Sequence, residues 1–290
     1  LIAIAHSSFT VQVDQEGNWE CGPDSPPPPD WPAPCCEVRF NRASILYTLP
    51  GPEKDNTSVE TPNHFLGSDE PALRSVDLIL SGTRNSRRIG IVGRTGAGKS
   101  SLASSIFRLN EAIILEEDRA TLSGSLANLG PEPVLFAGTL RFNLDPFGFE
   151  PEERLWAALE ASHLASWVRS DGIGLDYECG EGGCNLSAGQ RQLVCLARVC
   201  LSSGGRVRLL ILDEATASMD PVTNNLVMQT VVGDLFRDAT VIIIAHRLDT
   251  VLDTDLIVVM DRGRVVETGR PDVLLADPQS RFSAMYRAGH

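Results

Sequence analysis

A chain of 290 residues with 25 basic and 38 acidic side chains carries a formal charge of −13, which argues against a nucleic-acid partner, since phosphate binding needs a basic face. Its 42% hydrophobic content suffices for a full core, in one large domain or one domain with an appendage. No apolar run reaches the ~20 residues that cross a bilayer, and the opening LIAIA is too short for the apolar part of a signal peptide. Beginning at Leu1, the chain is expected to be a piece of a longer one, with any membrane segments in the remainder. The seven cysteines (Cys21, Cys35, Cys36, Cys179, Cys184, Cys195, Cys200) form no C-x-x-C pair and no ligand spacing with histidine, and read as scattered reduced thiols of a cytosolic compartment.

Residues 1–34 are dense in proline and read as a linker or tail in extended geometry. VRFNRASILY (38–47) alternates apolar and polar residues as edge strands do, and the polar, turn-rich stretch 48–71 reads as a long loop. From there short apolar strands alternate with helical segments. The strands are RIGIV (88–92), VRLLIL (207–212), ATVIIIA (239–245) and LIVVM (256–260). Helices are predicted to start at Ser100 and near Pro151, Ser187, Pro221 and Pro271, since proline suits a first helical turn. Buried β-branched runs separated by helices predict a mostly parallel sheet covered on both faces.

GIVGRTGAGKSSL (90–102) contains G-x-x-x-x-G-K-[ST] between a strand and a helix. Glycines at 93, 96 and 98 let backbone N–H groups turn toward phosphate oxygens, and the helix N-terminus adds its positive end. The binding set is Gly93, Arg94, Thr95, Gly96, Ala97, Gly98, Lys99, Ser100 and Ser101, with Lys99 reaching the terminal phosphates of ATP and Ser100 ligating Mg2+. Of the basic residues only Lys54 and Lys99 are lysine, so one of two stands where a lysine has chemistry to do.

LLILDEATASMD (209–220) ends an apolar strand in two carboxylates. Asp213 would emerge at the carboxyl edge of the sheet, where Mg2+ sits beside a phosphate loop, and Glu214 could deprotonate the attacking water. VIIIAHR ends another strand at His246, whose imidazole could reach the terminal phosphate. In NLSAGQRQLVCLAR (185–198), Ser187 can cap a helix whose N-terminus, with Gly189, presents backbone donors to an anion.

This last stretch resembles the signature motif of ABC-transporter nucleotide-binding domains, with Leu186, Ser187, Ala188, Gly189 and Gln190 as its core, and the resemblance covers roughly residues 38–290. It implies a P-loop NTPase (RecA-like) α/β core, an antiparallel β subdomain and an α-helical signature subdomain over about 140–200, within an ATP-binding domain spanning 35–290. It also implies that the motif completes the site of a second nucleotide-binding domain in a head-to-tail ATP sandwich, that Tyr47 stacks on adenine, that Ser218 and Asp220 touch the opposite domain, and that His246 is a switch histidine. GTLRFNLDPF (138–147), the signature stretch and WP at 31–32 look most like the second such domain of the multidrug-resistance-associated (C) subfamily. The implied protein is an exporter of organic anions, conjugates or drugs, its transmembrane domains in the same transporter and this domain on the cytoplasmic face. The segment 111–136 is shorter than the family pattern and sets Pro131 where the family has a glutamine that contacts Mg2+ and water. Glu132, one residue on, points the other way in an extended segment. The alternative function is therefore a nucleotide-binding regulatory module with little or no hydrolysis.

Overall fold

The computed structural model describes residues 37–45, 71–81, 88–106, 119–122, 126–129, 133–170, 172–203, 207, 209–213, 220–237, 239–245 and 247–289. The proline-rich stretch 1–34, residues 48–70 of the expected loop, Tyr47 and the Pro131–Glu132 pair lie outside the described residues. In chain order the elements are β1 (Glu37–Ile45), β2 (Leu73–Ser81), β3 (Arg88–Gly93), α1 (Lys99–Ile106), β4 (Arg119–Leu122), β5 (Leu126–Leu129), β6 (Gly138–Thr139) and α2 (Leu140–Leu144). They continue with α3 (Glu152–Ala161), α4 (Ala165–Ser170), β7 (Glu178–Cys179), α5 (Ala188–Ser203), β8 (Leu209–Asp213), α6 (Pro221–Val232), β9 (Thr240–Ile244), β10 (Leu256–Asp261), β11 (Arg264–Gly269), α7 (Pro271–Ala276) and α8 (Arg281–Gly289). They fall into two compact units, one drawn from Ser123–Val241 and one from Glu37–Leu122 with Ile242–His290, the division passing through β9.

In the second of these units a sheet runs in the order β11-β10-β3-β9. β3 and β10 are parallel, Gly90 beside Ile257 and Val92 beside Val259. Ile89, Ile91, Val92 and Ile257 to Met260 are all buried, the unbroken apolar reading of strands covered on both faces. β11 closes an antiparallel hairpin on β10. The sequence pattern did not single it out, because Val265 and Val266 are only half-buried among polar neighbours.

A separate antiparallel sheet has the order β2-β1-β4. β1 therefore lies in the middle, not at the edge expected for 38–47. Alternation places Val38 and Phe40 on the buried face, a register shift intervenes, and Ala43 and Ile45 return to it. The irregularity carries Arg42 and Ser75 at positive φ, and their N–H groups are satisfied by Asp77 and by the Ser44 hydroxyl, each at 2.9 Å.

In the other unit β5 and β8 pair in parallel, and the helical stretch comprises α2 to α5. The faces of α3 and α5 bury Leu155, Leu159, Leu193, Val194, Leu196 and Ala197. Beneath them Asn143, 3% exposed, uses its whole amide. Its Oδ1 accepts from the N–H of Phe136 (2.9 Å) and from Arg198 Nη2 (2.8 Å), and its Nδ2 donates to the carbonyls of Phe136 (2.9 Å) and Thr139 (3.1 Å). Arg198 also donates to the carbonyls of Asn143 and Val134, both at 2.6 Å, so α5 is tied across 55 residues of sequence to α2 and across 64 to the segment before it. Burial lowers the pKa of this guanidinium, which is held by carbonyl dipoles and the Cys195 sulfur. Asn143→Ala would orphan several of these groups at once, and a loss of about 2–4 kcal/mol is expected in urea unfolding, read as a lower midpoint at unchanged slope.

Candidate nucleotide-binding site

β3 delivers the chain into the loop 94–98, and α1 takes it away, starting at Lys99. Gly96 and Gly98 have φ of +78° and +98°, a region a side chain resists. At Gly98 space forbids one as well, since a Cβ would stand 2.8 Å from the carbonyl oxygen of Ala72 and 3.3 Å from the Cα of Gly263. The turn between β10 and β11 braces the loop from behind, Gly263 donating its N–H to the Ala97 carbonyl at 2.9 Å and accepting from the N–H of Arg74 at 2.8 Å. Lys99, 5% exposed, folds back to donate Nζ to the carbonyls of Gly93 (2.9 Å) and Arg94 (3.3 Å). The N–H of Ala97 closes a turn on the Arg94 carbonyl. The loop thus holds its curved shape internally. Among the described residues the N–H groups of Thr95, Gly96 and Gly98 make none of these bonds and remain for an anion, and Ser100 presents an exposed hydroxyl at the helix start.

Gly93 to Ala97 open on a cleft of about 1220 Å³ whose apolar wall includes Val259, Val266 and Met285. Arg94, Arg247, Arg262 and Arg281 stand at it with Asp249 and Asp261. Arg281 pairs with Asp261 at 3.2 Å, while Arg94, Arg247 and Arg262 form no ion pair among the described residues. An otherwise acidic chain thus keeps a locally positive approach to its phosphate loop.

In the other unit Ser187 and Gln190 form a reciprocal capping box. The Ser187 hydroxyl oxygen accepts from the N–H of Gln190 (3.1 Å), and the Gln190 side-chain oxygen accepts from the N–H of Ser187 (2.9 Å). Arg191 donates to the Ser187 carbonyl through its N–H (3.0 Å) and to the Leu186 carbonyl through its guanidinium (2.7 Å). Among the described residues this leaves over the N–H groups of Ala188 and Gly189, and the hydroxyl proton of Ser187, three donors around one helix N-terminus. Asn185 steadies the approach, its amide bridging the N–H of Gly180 and the carbonyl of Glu178, each at 2.8 Å. Leu186 is buried as the anchor of the turn.

Asp213 ends β8, half-buried. Asp220 caps α6, accepting from the N–H groups of Val222 and Thr223 at 3.0 Å each. Its carboxyl is held below the usual range, first by the Thr223 hydroxyl and then by the Thr223 N–H. Glu214, Ser218 and His246 lie outside the described residues. The structure therefore gathers Gly93 to Ser101 into one loop in one unit, and Leu186 to Gln190 with Asp220 in the other. Sequence reasoning passed over Gly263, Arg247, Arg262 and Thr223, for which only the D-P-x-T spacing of a capped helix start gave any signal.

The chain matches the ABC transporter family over residues 79–217. Those residues form an ABC transporter domain of that family. The chain is 39% identical to the human ATP-binding cassette sub-family C member 2 over 303 residues, covering all of this chain and 18% of that protein. That alignment is longer than the chain, so the relative carries residues with no counterpart here. It is 40% identical over 278 residues to the probable multidrug resistance-associated protein lethal(2)03659 of Drosophila melanogaster, covering 93% of the chain and 18% of the relative. The chain thus spans less than a fifth of these relatives. A bacterial Atm1-family ABC exporter solved with ATP bound superposes with a TM-score of 0.71 at 25% identity, over 88% of this chain and 42% of that one. The fold is accordingly that of a P-loop ATP-binding cassette.

The capping box makes a test possible. Gln190→Glu keeps an acceptor for the N–H of Ser187 and sets a negative charge beside the three donors, whereas Gln190→Ala removes the acceptor. Thermal unfolding should show Gln190→Glu close to the parent and Gln190→Ala lowered by about 1 kcal/mol. Pyrophosphate-dependent protection of the Ala188 and Gly189 amides should be weakened in both, and more in Gln190→Glu.

Proposed function

We propose that this domain binds and hydrolyses ATP to drive export by a membrane transporter of the multidrug-resistance-associated type, standing as its second nucleotide-binding domain on the cytoplasmic face. The observation that carries the proposal is that one chain holds two helix N-termini fitted to anions, the phosphate loop of α1 and the capped start of α5, one in each unit. A lone ATPase needs only the first. The second is explained by a partner domain whose ATP it completes.

In this reading the loop amides and Lys99 take the phosphates, with Lys99 giving up its carbonyl contacts. Ser100 and Asp213 each carry the kind of oxygen donor that Mg2+ prefers; they would hold the ion, which would neutralise charge on the transferring phosphoryl group. Tyr47 stacks on adenine, Glu214 takes the proton of the attacking water, and His246 contacts the terminal phosphate. The Ser187 hydroxyl and the amides of Ala188 and Gly189 bind the phosphate of the partner's ATP, with Ser218 and Asp220 on the partner domain. Product loss opens the pair and resets the membrane domains.

Transmembrane domains of the same transporter are the second partner. The segment leading into and out of α2 exposes Phe136, Phe142, Phe147 and Phe149, the last 80% exposed. They form two ring pairs, Phe136 with Phe142 edge-on at 6.4 Å and Phe147 with Phe149 stacked at 5.6 Å. Four exposed aromatics so close in sequence suit a protein surface that covers them. The polar network of Asn143 and Arg198 anchors that segment to the signature helix.

Pro131 favours one competing reading, a regulatory module that holds nucleotide without turning it over. Steady-state hydrolysis by the chain mixed with a matching first nucleotide-binding domain separates the two. Turnover is expected, and Glu214→Gln should lower it by about 10²–10⁴-fold while leaving ATP binding intact. Binding without turnover, restored by Pro131→Gln, would favour the regulatory module. Full turnover in Glu214→Gln would remove Glu214 from its role.

A further inference from the structure

Thr223, in the first turn of α6, lies against the signature helix and also bonds the Asp220 carboxylate. A Cβ built on Gly189 would stand 3.0 Å from the Thr223 hydroxyl oxygen, 3.1 Å from its methyl carbon and 3.4 Å from its Cβ. The backbone of α5 therefore lies close against Thr223, which would have to give by a few tenths of an ångström to admit a side chain there. The same hydroxyl donates its only proton to Asp220 Oδ2 at 2.6 Å. The other carboxylate oxygen is occupied by two N–H groups of α6. Asp220 is thus fixed in rotation, and what fixes it rests against one of the amides that the capping box leaves open.

We propose that Thr223 is a positioning residue, which locks the Asp220 carboxylate to the Gly189 edge of the signature helix so that the two face a partner as one rigid surface. The inference rests on the proposed function for what that surface meets. Its geometry stands without it. Hydroxyl and methyl have separable jobs: the hydroxyl orients Asp220, and the branched body of the side chain sets the approach of α5. Conservative variants can therefore split them. Thr223→Val keeps the shape and removes the proton. Thr223→Ser keeps the proton and removes the methyl. Thr223→Ala removes both.

Three readings on the whole chain decide it. Carboxyl titration of Asp220, followed by 13C NMR, should move upward in Thr223→Val and stay near the parent value in Thr223→Ser. An unmoved titration in Thr223→Val would overturn the orienting role. In a stability cycle, Gly189→Ala should be better tolerated in the Thr223→Ala background than in the parent, because that change clears the two closest atoms. Simple additivity would overturn the contact. If Gly189→Ala does not fold, the rescued double variant folding where the single one fails gives the same answer.

With the partner domain and ATP, Thr223→Val should lower turnover about tenfold at unchanged affinity of the isolated chain for a fluorescent ATP analogue, and Thr223→Ser should restore most of it. Equal loss of affinity and turnover would mark a general structural defect and overturn the positioning role. A parent that never hydrolyses ATP would count against the proposed function alone, since the titration and the cycle are read without turnover.

Discussion

The first N–H groups of an α-helix have no partner within the helix, and both candidate sites of this chain are built on that shortage. At α1 the glycine-bearing loop leaves amides open toward a phosphate, and at α5 the capping box consumes two donors and leaves three. The two helices solve the same problem differently. α1 follows Gly98, which has no side chain to cap with, and its start depends on the shape of the loop before it. α5 is capped by its own Ser187 and Gln190, so its turn survives without ligand and its remaining donors are held in place beforehand.

Each solution requires support from residues distant in sequence. Ala72 and Gly263 lie against the phosphate loop at Gly98, and neither neighbour leaves room for a side chain there. At Gly263 an added Cβ would run into the Ala72 carbonyl, so the hairpin turn and the loop constrain each other. The start of α5 is steadied in the same manner by Asn185 and Arg191, and further along by Arg198. Packing and hydrogen bonding here do more than stabilise. They hold polar backbone groups in positions that would otherwise fray into water.

What was legible in the sequence is what is local. Gly93 to Ser100 and Ser187 to Gln190 each act within one turn of chain, so residue spacing alone exposes the geometry. Buried strands were likewise readable where both faces are covered, as at Ile257 to Met260. Alternation at Val38 and Phe40 shows which face is buried but not which strands lie alongside, and for that reason β1 reads as an edge although β4 pairs with it. Thr223 against Gly189 and Arg198 against Val134 have no period or motif to announce them, because the partners meet only when the tertiary fold is complete.

The choice of cation follows from the same demand. Lysine is confined to positions 54 and 99, and the remaining basic residues are arginine. Several of these serve as clamps on main-chain carbonyls: Arg74 on Pro71, Arg154 on Leu201, Arg191 on Leu186, Arg198 on Val134 and Asn143. A guanidinium can bridge two or three oxygens in a fixed plane, where an ammonium would supply a strongly hydrated point charge. Carbonyls at the ends of helices and loops are the acceptors that secondary structure leaves over, so an arginine that gathers several of them joins elements through the main chain. The loop lysine is the exception that fits the argument. Lys99 holds carbonyls of its own loop, and a compact, flexible ammonium can leave them for a phosphate, a transfer that the planar, multiply bonded Arg198 is built to resist.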